Sequence, residues 1–360
     1  MASAKDFQND AQALQFYFLK DNRFAYRGMI ASGGSGSAHR VQYIDNERPA
    51  LTDFLVKRAH RVDKEEAAMR READYIRSLR GGMHIVQLVD IHNDPLTQHN
   101  FEGEWLFLEW LANGTVGDFV WNARHQRVQR LSNRLLWRFF LCLVRGCCGI
   151  AWPRNRQDGL LEVELPVQGV PPSNLKHNDL HRGNVLLGEF SPHGEHGITP
   201  ILKLIDFGFA SDVDRVDPDL TGVQSNLWYI GELMAVLITL DPFVDIAKPG
   251  RGAFTTIDVV GERIQTNASP ILPAWLGAPN PYPWLDEWLA TIVALCLASD
   301  RNQRPTLQTL TAWISYAIVE RNAMFYGVPQ ENDNTIKALC EQIILNAPTQ
   351  AVQDAVLISS

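Results

Sequence analysis

Apolar and polar positions along the chain change period about a third of the way through. Short alternating runs come first, at Gly28 to Ala31, His39 to Ile44, Asp53 to Lys57, Ile85 to Ile91 and Glu104 to Glu109, and each predicts a strand. An amphipathic helix is predicted around Ala11 to Leu19, and a charged one from Asp63 to Arg80, where Ala68, Ile76 and Leu79 fall at roughly helical spacing. After Gly114 the pattern turns helical. Residues Leu131 to Trp152 read as one long helix, with Arg130, Arg134 and Arg138 on a polar face and Leu135, Phe139 and Leu143 on an apolar one. Residues 153–174 are rich in Pro, Gly and charge and read as a loop insertion. Two short strands follow, Val185 to Leu187 and Ile201 to Ile205, and Gln224 to Tyr326 reads as mainly helical. A further weak helix is predicted beyond Pro329, and no internal repeat appears. The pattern predicts an α+β fold, strand-rich and then helical, with a cleft where ligands bind.

Size and charge narrow the picture. At 360 residues and 46% hydrophobic, the chain has enough material for a large core and about two globular units. Lys and Arg number 33 against 41 Asp and Glu, a net charge of −8, so no general attraction for nucleic acid or anionic membranes is expected. Arg70, Arg71, Arg77 and Arg80 form a local basic patch that reads as the solvated face of a helix. The apolar run Leu227 to Leu240 contains Glu232, is too short to span a bilayer, and predicts a buried helix. Met1 to Asp10 is polar, without a signal-peptide apolar region, and Ala2 stands where N-myristoylation needs glycine. The five cysteines, Cys142, Cys147, Cys148, Cys296 and Cys340, include no Cys-x-x-Cys pair. They read as buried, reduced thiols of a soluble cytoplasmic or nuclear protein without membrane or nucleic-acid partners.

Candidate chemistry centres on two acids. Asp179 lies in His177-Asn178-Asp179-Leu180-His181-Arg182-Gly183-Asn184, just before an apolar strand. Asp206 lies in Leu204-Ile205-Asp206-Phe207-Gly208, at the end of another. Two carboxylates and an amide oxygen on loops beside paired strands suit Mg²⁺, a hard cation that prefers oxygen ligands. Phosphoryl transfer needs such a metal, and a further carboxylate to orient the attacking hydroxyl.

These residues resemble the eukaryotic protein kinase family. His177-Asn178-Asp179, with Asn184 five residues past the Asp, is similar to its catalytic loop, and Asp206-Phe207-Gly208 to its DFG motif. The two stand in order, 27 residues apart. The resemblance implies that Asp179 is the catalytic carboxylate and that Asn184 and Asp206 are magnesium ligands. Gly33-Gly34-Ser35-Gly36 resembles the glycine-rich loop over the ATP phosphates, with Ala31 and Ala38 in place of a usual glycine and valine. Lys57, ending Phe54-Leu55-Val56-Lys57, resembles the ATP-anchoring lysine, and Glu72 is its candidate counter-ion, with Glu65, Glu66 and Asp74 as competitors. Leu106 to Leu111 resembles the hinge, where backbone groups of Glu109 and Leu111 bond the adenine. Ser225 to Gly231 and Arg304-Pro305-Thr306 resemble later helical motifs, so the likeness runs from about Gly28 to Ile318.

The sequence also departs from that pattern. Asn178 replaces the arginine that pairs with a phosphorylated activation loop, and His181-Arg182-Gly183 replaces Lys-Pro-x, as in kinase-like phosphotransferases acting on small molecules. In the absence of the usual lysine, His181 or Arg182 is the expected substitute. Only 16 residues separate Gly208 from Ser225, without an Ala-Pro-Glu motif, so Arg304 lacks its usual glutamate and an acid from Asp212 to Asp219 is the expected replacement. Asn226 replaces an aspartate that braces the catalytic loop.

The resemblance implies a bilobal protein-kinase-like fold: a helical extension over 1–25, a small β-rich N-lobe with one main helix over 26–111, a larger helical C-lobe over 112–328 and a tail over 329–360. It implies transfer of the γ-phosphate of Mg-ATP to a hydroxyl, most simply a protein Ser or Thr. A small-molecule acceptor and an ATP-binding pseudokinase scaffold remain as alternatives.

Overall fold

Helix α1 (Ala4–Leu19) leads into three strands, β1 (Phe24–Ser32), β2 (Gly36–Tyr43) and β3 (Asp53–Ala59). Helix α2 (Asp63–Ser78), the single turn α3 (Pro95–Gln98) and β4 (Trp105–Glu109) follow. The computed structural model describes residues 4–44, 53–156, 158–191, 194–212, 220–247, 254–275 and 277–345. The four strands form one antiparallel sheet in sequential order. Their alternation sorts the two faces. Val41, Phe54 and Val56 point to one side, where they form a core cluster with Leu14 and Phe18 of α1. Each of these fully buried side chains stabilises this unit by roughly 1.5–3 kcal/mol. Lys57 points to the other side, with Ala38 and Leu106 as its register partners. This first unit comprises Met1–Trp110, Pro153–Glu162 and Asp206–Ala210.

Residues Ile85 to Ile91 do not form the expected strand. The pairing with β4 is a single bridge, Leu88 to Leu108. The ladder stops because the Gln87 N–H is taken by the Glu109 carboxylate at 2.9 Å, and the Gln87 amide is turned back to the Gly82 and Ile85 carbonyls. Part of the expected loop insertion belongs to this unit: Arg156 N–H donates to Arg80 O at 3.1 Å, and Glu162 N–H to Gly81 O at 2.8 Å.

The second unit comprises Leu111–Trp152, Val163–Ile205 and Ser211–Ser360. Its elements are α4 (Val116–His125), α5 (Asn133–Ala151), β5 (Val185–Leu187), β6 (Leu202–Leu204), α6 (Gly222–Thr239), β7 (Thr255–Val259), β8 (Glu262–Thr266), α7 (Glu287–Cys296), α8 (Leu307–Glu320), α9 (Ala323–Tyr326) and α10 (Asp333–Leu345). Helix α5 is buried along almost its whole length and packs on α6, α8 and β6. Part of its polar face is covered. Arg134 pairs with Asp333 at 2.7 Å and bonds the Glu331 carbonyl, so residues 331–333 cover it. Helix α4 is fixed by a capping box of Thr115 and Asp118.

One stretch expected to be helical is a β-hairpin. β7 and β8 pair in the register Thr255↔Thr266 to Val259↔Glu262. The turn places Val260 and Gly261 at φ 51° and 84°, the left-handed pair that a two-residue hairpin turn requires.

Ten α-helices and small antiparallel sheets among the described residues make this an α+β chain. No helix among them is long and apolar enough to cross a membrane. All five cysteines are free and buried, and burial pushes Cys148 and Cys296 up to about 12.

Candidate active site

The residues singled out in the sequence fall into two groups, one in each unit. In the first unit, β3 presents Lys57 to helix α2 and to the turn at Asp206. The ammonium Nζ donates to Glu72 Oε1 and Oε2 at 2.8 and 2.7 Å and to Asp206 Oδ1 at 2.8 Å. Of the four acids the sequence offers, Glu72 is the one that takes Lys57; Asp74 pairs instead with Arg77 at 2.7 Å. Glu72 is only 2% exposed. Burial pushes its carboxyl pKa up, and Lys57 does not cancel that shift. Burial alone would lower the Lys57 pKa, but the two carboxylates together reverse this and hold it raised. Asp206 sits at φ 63°, in the left-handed region, and the buried Phe207 beside it opens a single 3₁₀ turn that packs on α2.

The glycine-rich segment is the turn between β1 and β2. Gly33 N–H donates to Gly36 O at 2.9 Å and closes it. A Cβ on Gly36 would stand 2.0 Å from Arg58 O, so this position admits only glycine, whereas Gly33 and Gly34 have nothing within 4 Å. His60 pins the turn: its Nε2 meets Gly33 O at 2.8 Å and its N–H donates to Ser35 O at 3.0 Å. Nothing in the sequence pattern marks His60, since its partners are main-chain atoms of a turn far along the chain. Glu109 bonds Gln87 through its carboxylate and through its N–H, the latter at 3.0 Å, and Leu111 opens the second unit.

In the second unit the loop before β5 is held on several sides. His177 is fully buried; its N–H donates to Asn226 Oδ1 at 3.0 Å and its Nε2 meets Ile205 O at 2.9 Å. Asn226 Nδ2 donates in turn to Leu175 O at 3.0 Å, so the amide braces this loop with both its donor and its acceptor. Asn178 adopts φ 62° and donates to Ser211 Oγ at 2.8 Å. Asn184 donates from Nδ2 to Asp179 O at 2.8 Å and to Asp179 Oδ2 at 3.0 Å. The amide nitrogen therefore fixes the Asp179 carboxylate. Asn184 O accepts from Ile205 N at 3.0 Å, and Asp206 is the next residue in the chain.

His181 is tautomerically defined. Its Nδ1 accepts from Gly183 N–H at 3.0 Å, so in the neutral ring the proton is on Nε2, 3.7 Å from Asp179 Oδ1. Arg182 stands 5.7 Å from the Phe243 ring. Arg304 is not paired with an acid among the described residues. It donates to Gln224 O at 2.7 Å and twice to Ala298 O at 3.2 Å. Asp214, Asp217 and Asp219 lie outside the described residues.

No model of a known protein family matches the chain, and no curated protein matches it.

Proposed function

We propose that the chain is a protein-kinase-like phosphotransferase that moves the γ-phosphate of Mg-ATP to a hydroxyl, most simply of a protein Ser or Thr. In this reading the first unit is the small lobe and the second the large lobe of a kinase-like fold. The observation that carries it is the Lys57–Glu72–Asp206 cluster, a half-buried lysine bridged to two carboxylates at 2.7–2.8 Å. A structural ion pair needs one acid per lysine. Two acids hold the ammonium fixed, its position set for phosphate oxygens, and leave negative charge beside it for a divalent cation.

By residue type, Asp206 would offer magnesium a carboxylate and Asn184 an amide oxygen, both hard ligands. Magnesium, when bound, neutralises phosphate charge and orients the γ-phosphoryl group. Lys57 holds the other phosphate oxygens, and Glu72 keeps Lys57 in place. Asp179, its carboxylate fixed by Asn184, orients the acceptor hydroxyl and accepts its proton. The N–H groups of the Gly33–Gly36 turn supply donors to phosphate.

One observation favours a small-molecule acceptor as a second reading. Beside the catalytic loop, in the second unit, a cavity of about 340 Å³ is lined by His181, Arg182, Leu233, Val236 and Val244. Its His181 reaches Asp179 at 3.7 Å.

Calorimetric titration with ATP, in Mg²⁺ and in chelator, tests the nucleotide half of the proposal. Binding should be tight with Mg²⁺ and weak without it. Equal affinity in both would remove the metal role given to Asp206 and Asn184.

A further inference from the structure

Two glycines of the first unit are not required by the fold around them. Gly33 and Gly34 are exposed, neither takes a positive φ, and a Cβ on either would meet nothing within 4 Å. Gly36 differs, because Arg58 O leaves no room for a side chain there. The open space over Gly33 and Gly34 lets a ligand come close to the main chain, as a phosphate held by N–H groups must. The same glycines make the turn costly to order, since glycine gives up more backbone freedom than any other residue. A ligand that had to order the turn would bind more weakly by that amount.

One side chain holds the turn in advance. His60 is 9% exposed and follows the end of β3, three residues beyond Lys57. Its Nε2 lies 2.8 Å from Gly33 O. A carbonyl oxygen only accepts, so Nε2 carries the proton and donates it. The main-chain N–H of His60 donates to Ser35 O at 3.0 Å. The β2–β3 ladder, with Ala38 opposite Lys57 and Gly36 opposite Ala59, ties the base of the turn to the strand that carries the lysine. The imidazole ties the tip of the turn to the end of that same strand.

We infer that His60 is a positioning residue for nucleotide phosphate: its bond to Gly33 O keeps the glycine turn in place, so that Mg-ATP binds without having to order it. The inference rests on the phosphotransferase reading and adds to it a residue outside the Lys57–Glu72–Asp206 cluster. His60 acts through the turn, so it contributes to binding of the phosphates and not to that of the adenine or the ribose.

The test is calorimetry on the full chain with Mg-ATP and with adenosine. His60→Phe keeps a ring without the donor, His60→Ala removes both, and His60→Gln keeps an N–H near the position of Nε2. Because the first two leave different amounts of space, whichever of them folds serves the test. Each should bind Mg-ATP about three- to tenfold more weakly than wild type, the size of one neutral hydrogen bond, and adenosine equally well. His60→Gln should stay within about twofold of wild type for both ligands. A wild type that does not bind Mg-ATP would remove the phosphotransferase reading and this inference together. A wild type that binds Mg-ATP, beside a folded His60→Phe or His60→Ala that binds it as tightly, overturns the inference alone. So does an equal loss for adenosine, or a His60→Gln as weak as His60→Phe, since either would make His60 a structural residue only.

Discussion

Replacing Lys57 with methionine removes the cation that bonds Glu72. The wild-type ammonium makes two bonds to that carboxylate, at 2.8 and 2.7 Å, and Glu72 is 2% exposed. In Lys57→Met a charged Glu72 would be buried without its counter-ion, a loss of about 3–5 kcal/mol. The carboxyl can escape by taking up a proton. Burial already raises its pKa above the ordinary 4.5, and losing Lys57 raises it further. A native-state pKa above the unfolded value means that the contribution is fully present below the unfolded pKa and is lost as pH rises through the native one. The variant should thus be close to wild type in stability near pH 5 and lose the full ~3–5 kcal/mol by pH 8. Adding Glu72→Leu removes the buried charge and should restore most of the loss at pH 8, since an apolar pair of similar volume is often neutral or better. Urea denaturation of the wild type, the single and the double variant at both pH values measures this. The same loss at pH 5 and pH 8, or a double variant no more stable than the single one, would show that Glu72 is not a buried carboxylate dependent on Lys57.

The remaining predictions concern the two loops. Gly36→Ala should destabilise the first unit by about 1–3 kcal/mol, because its Cβ meets Arg58 O, a backbone atom that cannot swing away. Gly33→Ala and Gly34→Ala, with open space around them, should melt like wild type in a thermal scan. Asn178→Gly should fold normally, whereas Asn178→Val should cost about 1–2 kcal/mol, because φ 62° strains a β-branched side chain more than glycine or asparagine. Equal melting temperatures for those two variants would contradict the left-handed assignment.

Several elements were legible in the sequence because local pattern and burial agree there. Phe54 and Val56 alternate with Lys57 along β3, and their faces separate as period two requires. The spacing of Asp179 and Asn184 puts both in one short loop, where they bond each other. Elsewhere the deciding interaction is long-range. Glu65, Glu66, Glu72 and Asp74 are equivalent by composition, and only the packing of α2 singles out Glu72. Arg134 lies on a polar face of α5, and its partners Glu331 and Asp333 are almost 200 residues on. Ile85 to Ile91 carries the apolar character of a strand, but a side-chain acceptor on Glu109 takes the N–H that its ladder needs. The β7–β8 hairpin was readable from Thr255, Ile257, Val259 and the Val260-Gly261 turn, yet the helical segments around it masked the change of period. His60 and Ser211 act on distant main-chain or loop atoms, and neither carries a local signal.

The most direct test of the proposed function follows γ-labelled ATP with Mg²⁺, in the presence of Ser/Thr peptides and, separately, hydroxyl-bearing small molecules. The wild type is compared with Asp179→Asn. The account predicts that label leaves ATP and appears on one class of acceptor with the wild type. With Asp179→Asn, transfer should fall by orders of magnitude while ATP affinity stays within a few-fold, as expected for a residue that acts on the acceptor hydroxyl. Transfer by Asp179→Asn at the wild-type rate, or a wild type that moves no label to any acceptor, would contradict it.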